Sequence, residues 1–175
     1  QGLGSGSLFV SYAYAWHDNI QGIDRDYSTA DNTARGGTDF RQTTCAPGNV
    51  TDPVSGISYA LPGFTAGAVN KCDQTDFADI YPRETRHSVF AGLNQELSDS
   101  VEFNLTAYWS RRDTQIKQAQ AGFTGTITAL NPYFRPVSFV PAQSVALSFA
   151  DVFGDSLVSN QRFDSWGVTP SFDFK

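Results

Sequence analysis

Residues Val89–Trp109 read VFAGLNQELSDSVEFNLTAYW, and two runs of alternating residues within them decide the fold. Every second residue from Val101 to Trp109 is apolar, and the residues between them are polar or tyrosine. An alternation of period two places the apolar side chains on one face of a β-strand. The segment Ser98–Ser100 separates the two runs and has the length of a tight hairpin connection. The stretch therefore predicts an antiparallel hairpin.

The same alternation recurs near both ends of the chain, at residues 8–16 and 166–174. No segment of comparable length has a helical period, so the predicted fold class is all-β. We place the four strands near residues 7–27, 87–97, 101–118 and 162–175.

The connections between these strands differ greatly in length. Long segments near residues 28–86 and 119–161 contrast with the short hairpin turn, and loops above roughly 12–15 residues are uncommon in compact domains. Short turns on one side and long loops on the other are typical of an antiparallel up-and-down outer-membrane β-barrel. We therefore expect residues 1–175 to form part of one transmembrane barrel, with extracellular long loops. Ser144–Phe149 predicts an extra strand or folded element in the second loop, and the glycine-rich Gly2–Ser7 predicts a turn.

Composition excludes several other classes of protein. The 175 residues have a mean hydropathy of -0.30 and no apolar run long enough for a membrane-spanning helix. A net charge of -6 argues against a nucleic-acid partner. Aromatic residues make up 14% of the chain, too many for a disordered segment.

Aromatic residues mark both ends of the predicted apolar face. From Leu8 to Trp16 a tilted strand rises about 20 Å, close to the apolar band of an outer-membrane barrel with its aromatic girdles. The alternative is that these residues form the core of a soluble β-sandwich. The expected lipid-facing girdle consists of Trp16, Trp109 and Trp166 on the long-loop side and Phe103, Phe172 and Phe174 on the opposite side.

Four strands are too few to close a barrel, because the smallest barrels have about eight. Alone, such a sheet would expose two edges and a continuous apolar face. We therefore expect this chain to be a piece of a larger barrel.

Cys45 and Cys72 both lie in the first long segment, 27 positions apart. A bacterial cell surface is oxidising and the chain has only these two cysteines, which favours a disulfide. The alternative is a metal-binding pair, which would need closer spacing and further histidine or cysteine partners.

A small set of charged and aromatic residues could contact lipid or ligand. By parity, Arg111 points outward, either toward lipopolysaccharide phosphates or simply as a charge beside the girdle, and Arg112 points into the lumen. Tyr133 and Phe134 could stack on a sugar ring or pack the loop against its neighbours. Our candidate ligand-binding residues are Arg112, Tyr133, Phe134 and the adjacent Arg135.

No pattern points to catalysis or to a metal. His17 and His87 have no serine, cysteine or carboxylate at a diagnostic spacing. The carboxylates Asp24, Asp26 and Asp31 lack the ligand spacing of a calcium loop and are better interpreted as solvated loop charges. We expect neither enzymatic activity, nor a metal site, nor a cofactor.

Several segments resemble the barrel of TonB-dependent outer-membrane receptors. They are the hairpin block Arg86–Gln115, GIDRDY at Gly22–Tyr27, NPYF at Asn131–Phe134, and WGVTPSFDF at Trp166–Phe174. The resemblance implies a barrel of about 22 strands with a plugged lumen. It also implies uptake of a scarce solute, such as a siderophore, a vitamin or an oligosaccharide, at the bacterial outer membrane. Outer-membrane lipid, lipopolysaccharide, a small-molecule ligand and, through parts not in this chain, the TonB complex are the partners it implies.

Two other functions remain open at this point. A passive porin-type diffusion channel would share the barrel wall but lack the plug and the energy coupling. A secreted carbohydrate-binding β-sandwich would share the alternating strands but not the membrane.

Overall fold

The computed structural model describes residues 5–175, and most of the chain is antiparallel β-strand. Strand residues make up 56% of the described part of the chain, which confirms the predicted all-β class. Within the described residues no sheet closes on itself into a barrel. Three residues of the predicted turn Gly2–Ser7, namely Gly2, Leu3 and Gly4, lie outside the described residues. The strands are β1 (Ser7–His17), β2 (Ile20–Gln21), β3 (Asn49–Thr51), β4 (Ser58–Ala60), β5 (Thr65–Ala66), β6 (Asp79–Tyr81), β7 (Arg83–Ser98), β8 (Val101–Ala119), β9 (Gly122–Thr128), β10 (Ala142–Ser148) and β11 (Ser156–Phe174), with one short helix, α1 (Ala150–Phe153).

The chain divides into two compact units, which we describe separately. The sheet unit contains the described residues up to Asn19 together with Pro82–Gln115 and Asn160–Lys175. The loop unit contains Ile20–Tyr81 and Ile116–Ser159.

The sheet unit is a four-stranded sheet in the order β1-β7-β8-β11. β7 and β8 form the predicted hairpin, in which Ser98 pairs with Val101 across a two-residue turn. β1 pairs with β7 in an unbroken antiparallel register from Ser7 opposite Asn94 to His17 opposite Glu84. The strands that follow each other in this sheet are therefore those predicted from the alternation, in up-and-down order.

The strand bounds differ from the predicted ones at the ends that lead into the long segments. The first strand ends at His17 instead of reaching residue 27, and the Asp18 carboxylate accepts a hydrogen bond from the next backbone N–H, a local bond that competes with strand pairing. Farther along the chain, Gly22 lies so close to the backbone oxygen of Thr75 that a Cβ on this residue would be 1.8 Å from that oxygen, so only a glycine fits there. β7 begins at Arg83 and β11 at Ser156, before the apolar alternation starts, because backbone pairing does not require apolar side chains.

The loop unit contains a five-stranded sheet in the order β5-β4-β3-β10-β9. The segments that we predicted as two long loops thus fold together, since β3 of the first pairs with β10 of the second, Val50 lying opposite Val145. Both valines and Cys45 are buried and form a small core. β10 confirms the strand expected near Ser144–Phe149.

A pair of asparagines fixes the chain around this core. The buried Asn49 amide donates to the backbone oxygens of Thr43 and Asn70, at 2.7 and 2.9 Å, and accepts from the Asn70 N–H at 2.7 Å. The Asn70 amide donates in turn to the backbone oxygens of Gly48 and Leu61. Because these backbone groups lie outside regular strands, the two side chains supply hydrogen bonds that the sheet cannot.

Cys45 and Cys72 form a disulfide, with their Cα atoms 5.7 Å apart, which confirms the predicted pairing. Cys72 also pairs through its backbone with Gln42, by hydrogen bonds of 3.1 and 3.0 Å. The disulfide thus closes the segment that carries β3, β4 and β5, beside the buried core.

Removing the disulfide should loosen the loop unit selectively. For a closed loop of this length the chain-entropy model assigns a stabilisation of about 3.5 kcal/mol. We expect the Cys45→Ala/Cys72→Ala variant to be cut by protease within the loop unit at doses that spare the wild type. The reduced wild type should match the variant, and alkylation of both thiols without reductant would contradict the disulfide.

Candidate functional site: a sheet with two unlike faces

One face of the sheet unit is continuous and apolar. Register places Leu8, Leu93 and Leu105 side by side across three strands, and it places Val89 opposite Trp109. The rings of Phe103 and Phe172, 5.1 Å apart, connect the same face to β11. This apolar face consists of Leu8, Val10, Tyr12, Tyr14 and Trp16 in β1, Val89, Ala91 and Leu93 in β7, Phe103, Leu105, Ala107 and Trp109 in β8, and Trp166, Val168, Pro170, Phe172 and Phe174 in β11.

The apolar face is largely uncovered within the described residues. Leu8 is 62% exposed, Val10 60% and Trp166 73%. Soluble monomers rarely expose a large contiguous apolar surface, and such a surface usually marks a contact with another protein or with a membrane. This face is therefore the first candidate for a functional surface.

A polar band borders the apolar face on the side of the long segments. Arg111 donates to Asp164 at 2.7 Å and Arg162 donates to Asp113 at 2.6 Å, both between β8 and β11. The Arg111 guanidinium also lies 5.5 Å from the centre of the Trp109 ring, a cation–π distance. Since each arginine is paired with an aspartate, this band carries little net charge.

The tryptophans lie between the apolar face and the polar band, and only one of them is near a strand end. Trp16 is close to the end of β1, as predicted, but Trp109 and Trp166 lie in the middle of β8 and β11. The two long strands continue beyond the tryptophans as polar pairs, so the tryptophans mark a change of side-chain polarity and not the strand ends.

The opposite face, which we call the polar face, carries the alternate residues. Near the hairpin turn, the Asn94 amide donates to Glu102 and to Asn104, and Asn104 donates to Asp173 at 2.8 Å. Farther along the strands, the hydroxyls of Ser88 and Ser110 lie 3.3 Å apart. The polar face thus has its own hydrogen-bonded network across three strands.

The four predicted ligand-binding residues fall into different units. Arg112 lies on the polar face of the sheet unit, 3.9 Å from the Glu84 carboxylate. Tyr133, Phe134 and Arg135 lie in the loop unit, where Tyr133 is 89% exposed and Phe134 is half-buried. The Arg135 guanidinium lies 6.0 Å from the centre of a phenylalanine ring, Phe64.

Asp73 joins two parts of the loop unit and was not singled out from the sequence. Its carboxylate accepts from the Thr29 hydroxyl and the Ala30 N–H, both at 2.7 Å, and from the Thr75 N–H at 3.0 Å, where it caps a short 3₁₀ turn. Burial alone would raise the pKa of Asp73, but these hydrogen bonds outweigh it and lower the pKa. The Asp-x-Thr pattern of residues 73–75 is the sequence signal that indicates such a cap.

A second cluster of charges lies near the disulfide. Asp39 accepts from Arg41 at 3.0 Å and from Lys71 at 2.8 Å, and Arg41 also reaches Asp31 at 2.9 Å. The hydrogen bonds from Arg41, and then from Lys71, hold the pKa of the Asp39 carboxyl far below its ordinary value. Two carboxylates and two bases pair with one another here, so this cluster carries no net charge.

The stability of the loop unit should depend on pH through Asp73. A carboxyl with a lowered folded-state pKa stabilises the fold above its unfolded-state value, about pH 4, and this stabilisation is lost as pH falls through the folded-state pKa. We expect Asp73→Ala to lower the free energy of unfolding at pH 7 by about 2 kcal/mol, because it leaves charge-assisted hydrogen bonds unmade. Denaturant titrations at pH 7 and pH 2 should show the difference shrinking at the lower pH.

Asp76 provides a matched control on the same 3₁₀ turn. Burial and then the nearby Asp73 raise its pKa, so its charged form opposes folding at neutral pH. Asp76→Ala should therefore cost less stability at pH 7 than Asp73→Ala. Equal losses in the two variants would show that the Asp73 hydrogen bonds do not stabilise the unit.

The described part of the chain offers neither a membrane-spanning helix nor a metal cluster. Within residues 5–175, no helix has the length and hydropathy to cross a bilayer. The histidine, cysteine, aspartate and glutamate side chains described there form no group of three or more that could hold a metal ion. No protein family, curated protein or solved structure matches this chain.

Proposed function

We propose that this chain forms part of the wall of an outer-membrane transport barrel. One observation carries the proposal: the four strands expose a continuous apolar face, bordered by tryptophans and then by polar pairs, and have a polar face behind it. In a barrel wall the first face would contact lipid and the second would line the lumen. Burial of the apolar face in a bilayer would remove the exposure that is unfavourable in water.

The connections and the sheet edges support the same proposal. The hairpin turn has two residues, whereas the two other connections carry their own sheet and a disulfide. β1 and β11 are the edge strands of the described sheet, and unpaired edges inside a bilayer would leave backbone groups without partners. Further strands beside β1 and β11 would satisfy these groups and close the barrel.

Within this proposal, we favour a TonB-dependent receptor that takes up a scarce solute, such as a siderophore, a vitamin or an oligosaccharide. The resemblance of Arg86–Gln115 and Trp166–Phe174 to the barrel of such receptors supports it. In the loop unit, the exposed Tyr133 and the neighbouring Arg135 could provide a solute with an aromatic and a cationic contact. A plug of roughly 120 residues encoded upstream would support the receptor, and the lack of one would favour a passive porin.

Membrane assembly should distinguish the two faces of β8. Leu105→Arg places a charge on the apolar face, and an arginine at the bilayer midplane costs about 2–4 kcal/mol. Thr106→Arg, the matched control, places the same charge on the polar face of the same strand. We expect only Leu105→Arg to reduce the amount of heat-modifiable protein in outer-membrane fractions.

The same fractions also test the proposal as a whole. Recovery of the wild-type protein from the soluble fraction, without heat-modifiable migration, would contradict the barrel and favour the secreted β-sandwich. Equal assembly of the two arginine variants would contradict the assignment of the apolar face to lipid.

A further inference from the structure

A shallow trough crosses the polar face of the sheet unit. Its base is a row of small side chains, because Ala13 lies opposite Ser88 and Ser88 lies opposite Ser110. The hollow encloses about 340 Å³, near the lower end of the range for small-molecule sites. Ser11, Phe90 and Tyr108 also line it.

Aromatic side chains form one wall of this trough. Phe90 and Tyr108 are direct partners in the β7–β8 register, and both are about half exposed. The Phe90 ring lies 6.4 Å from that of Phe9, whereas Tyr108 lies over Gly167, where a Cβ would come within 2.5 Å of the Tyr108 ring. Contacts with β1 and β11 thus hold the two rings, which present apolar surface to the row of serines.

Two arginines, which we call the arginine wall, lie on the same face next to the serine row, just outside the side chains that line the hollow itself. Arg86 and Arg112 are direct partners in the register, two residues beyond the serine row along each strand, and like charges placed opposite each other are unfavourable. A single carboxylate faces both of them, since Glu84 lies 2.8 Å from Arg86 and 3.9 Å from Arg112. Two guanidiniums against one carboxylate leave a positive charge on this wall, and an anion placed there would relieve the repulsion.

We propose that this trough binds an anionic sugar, with its carboxylate on the arginine wall. The apolar side of a sugar ring would lie against Phe90 and Tyr108, and its hydroxyls would reach Ser88 and Ser110. Arginine suits the carboxylate because its planar guanidinium donates two parallel hydrogen bonds. This inference rests on the proposed transport function only in that it names a solute for the lumen face, since the trough lies entirely within the sheet unit.

Two simple sugars test the charge on this wall. Glucuronate and glucose share a ring, and only glucuronate carries a carboxylate. We expect glucuronate to bind the purified, folded protein in detergent at least tenfold more tightly than glucose in calorimetric titrations. Cyclohexanecarboxylate, which lacks the hydroxyls, should bind more weakly than glucuronate. If either glucose or cyclohexanecarboxylate bound as tightly as glucuronate, the assignment to an anionic sugar would be overturned.

Variants on the two walls should give different signatures. Arg112→Gln should weaken glucuronate binding at least tenfold and leave glucose unchanged, whereas Phe90→Leu should weaken both sugars. Arg162→Gln is the matched control, because Arg162 is paired with Asp113 on the other side of the sheet. A loss as large in Arg162→Gln as in Arg112→Gln would overturn the proposal.

The outcome can be separated from that of the proposed function. Heat-modifiable migration in membrane fractions reports on the barrel, and sugar binding by the folded protein reports on the trough. A protein that assembles in the membrane but binds glucuronate no better than glucose contradicts only the trough assignment. A soluble protein that binds glucuronate selectively contradicts only the barrel.

Discussion

The structure of the sheet unit depends on one constraint: each β-strand pairs with its neighbour in a fixed register. Paired strands alternate their side chains between two faces, so the register decides which residues meet across the sheet. A slip of one residue between β7 and β8 would move Leu105 and Trp109 to the face now held by Asn104 and Tyr108. The apolar face, the polar band and the trough exist because this register is maintained.

The two units differ in where their packing lies. Among the described residues, the buried side chains belong to the loop unit, around Cys45, Val50 and Val145. The sheet unit has partly or fully exposed residues throughout its described strands, including the central pair β7 and β8. Its strands are held by backbone pairing and cross-strand contacts, and the packing of its apolar face must come from whatever medium surrounds it. A bilayer would supply that packing in the function we propose.

Features that depend on local sequence could be predicted, and those that depend on pairing between distant segments could not. The hairpin at Ser98–Ser100 followed from alternation and turn length, and the disulfide followed from the count of cysteines. β3 has only three residues, too few for a period, so its pairing with β10 left no signal in the sequence. Only one of the two arginines of the arginine wall was predicted from the sequence. Arg112 was a candidate ligand-binding residue, but its position opposite Arg86 could be known only from the strand register.

The ladder between β3 and β10 has a consequence for the study of either chain segment in isolation. Asn49–Thr51 and Ser144–Ala146 are adjacent strands of one sheet, and Val50 and Val145 are buried where they meet. A synthetic peptide that copies one segment lacks the neighbouring strand, so the backbone groups and the valine that this pairing covers would be open to water. The folded form of each segment therefore belongs to the pair.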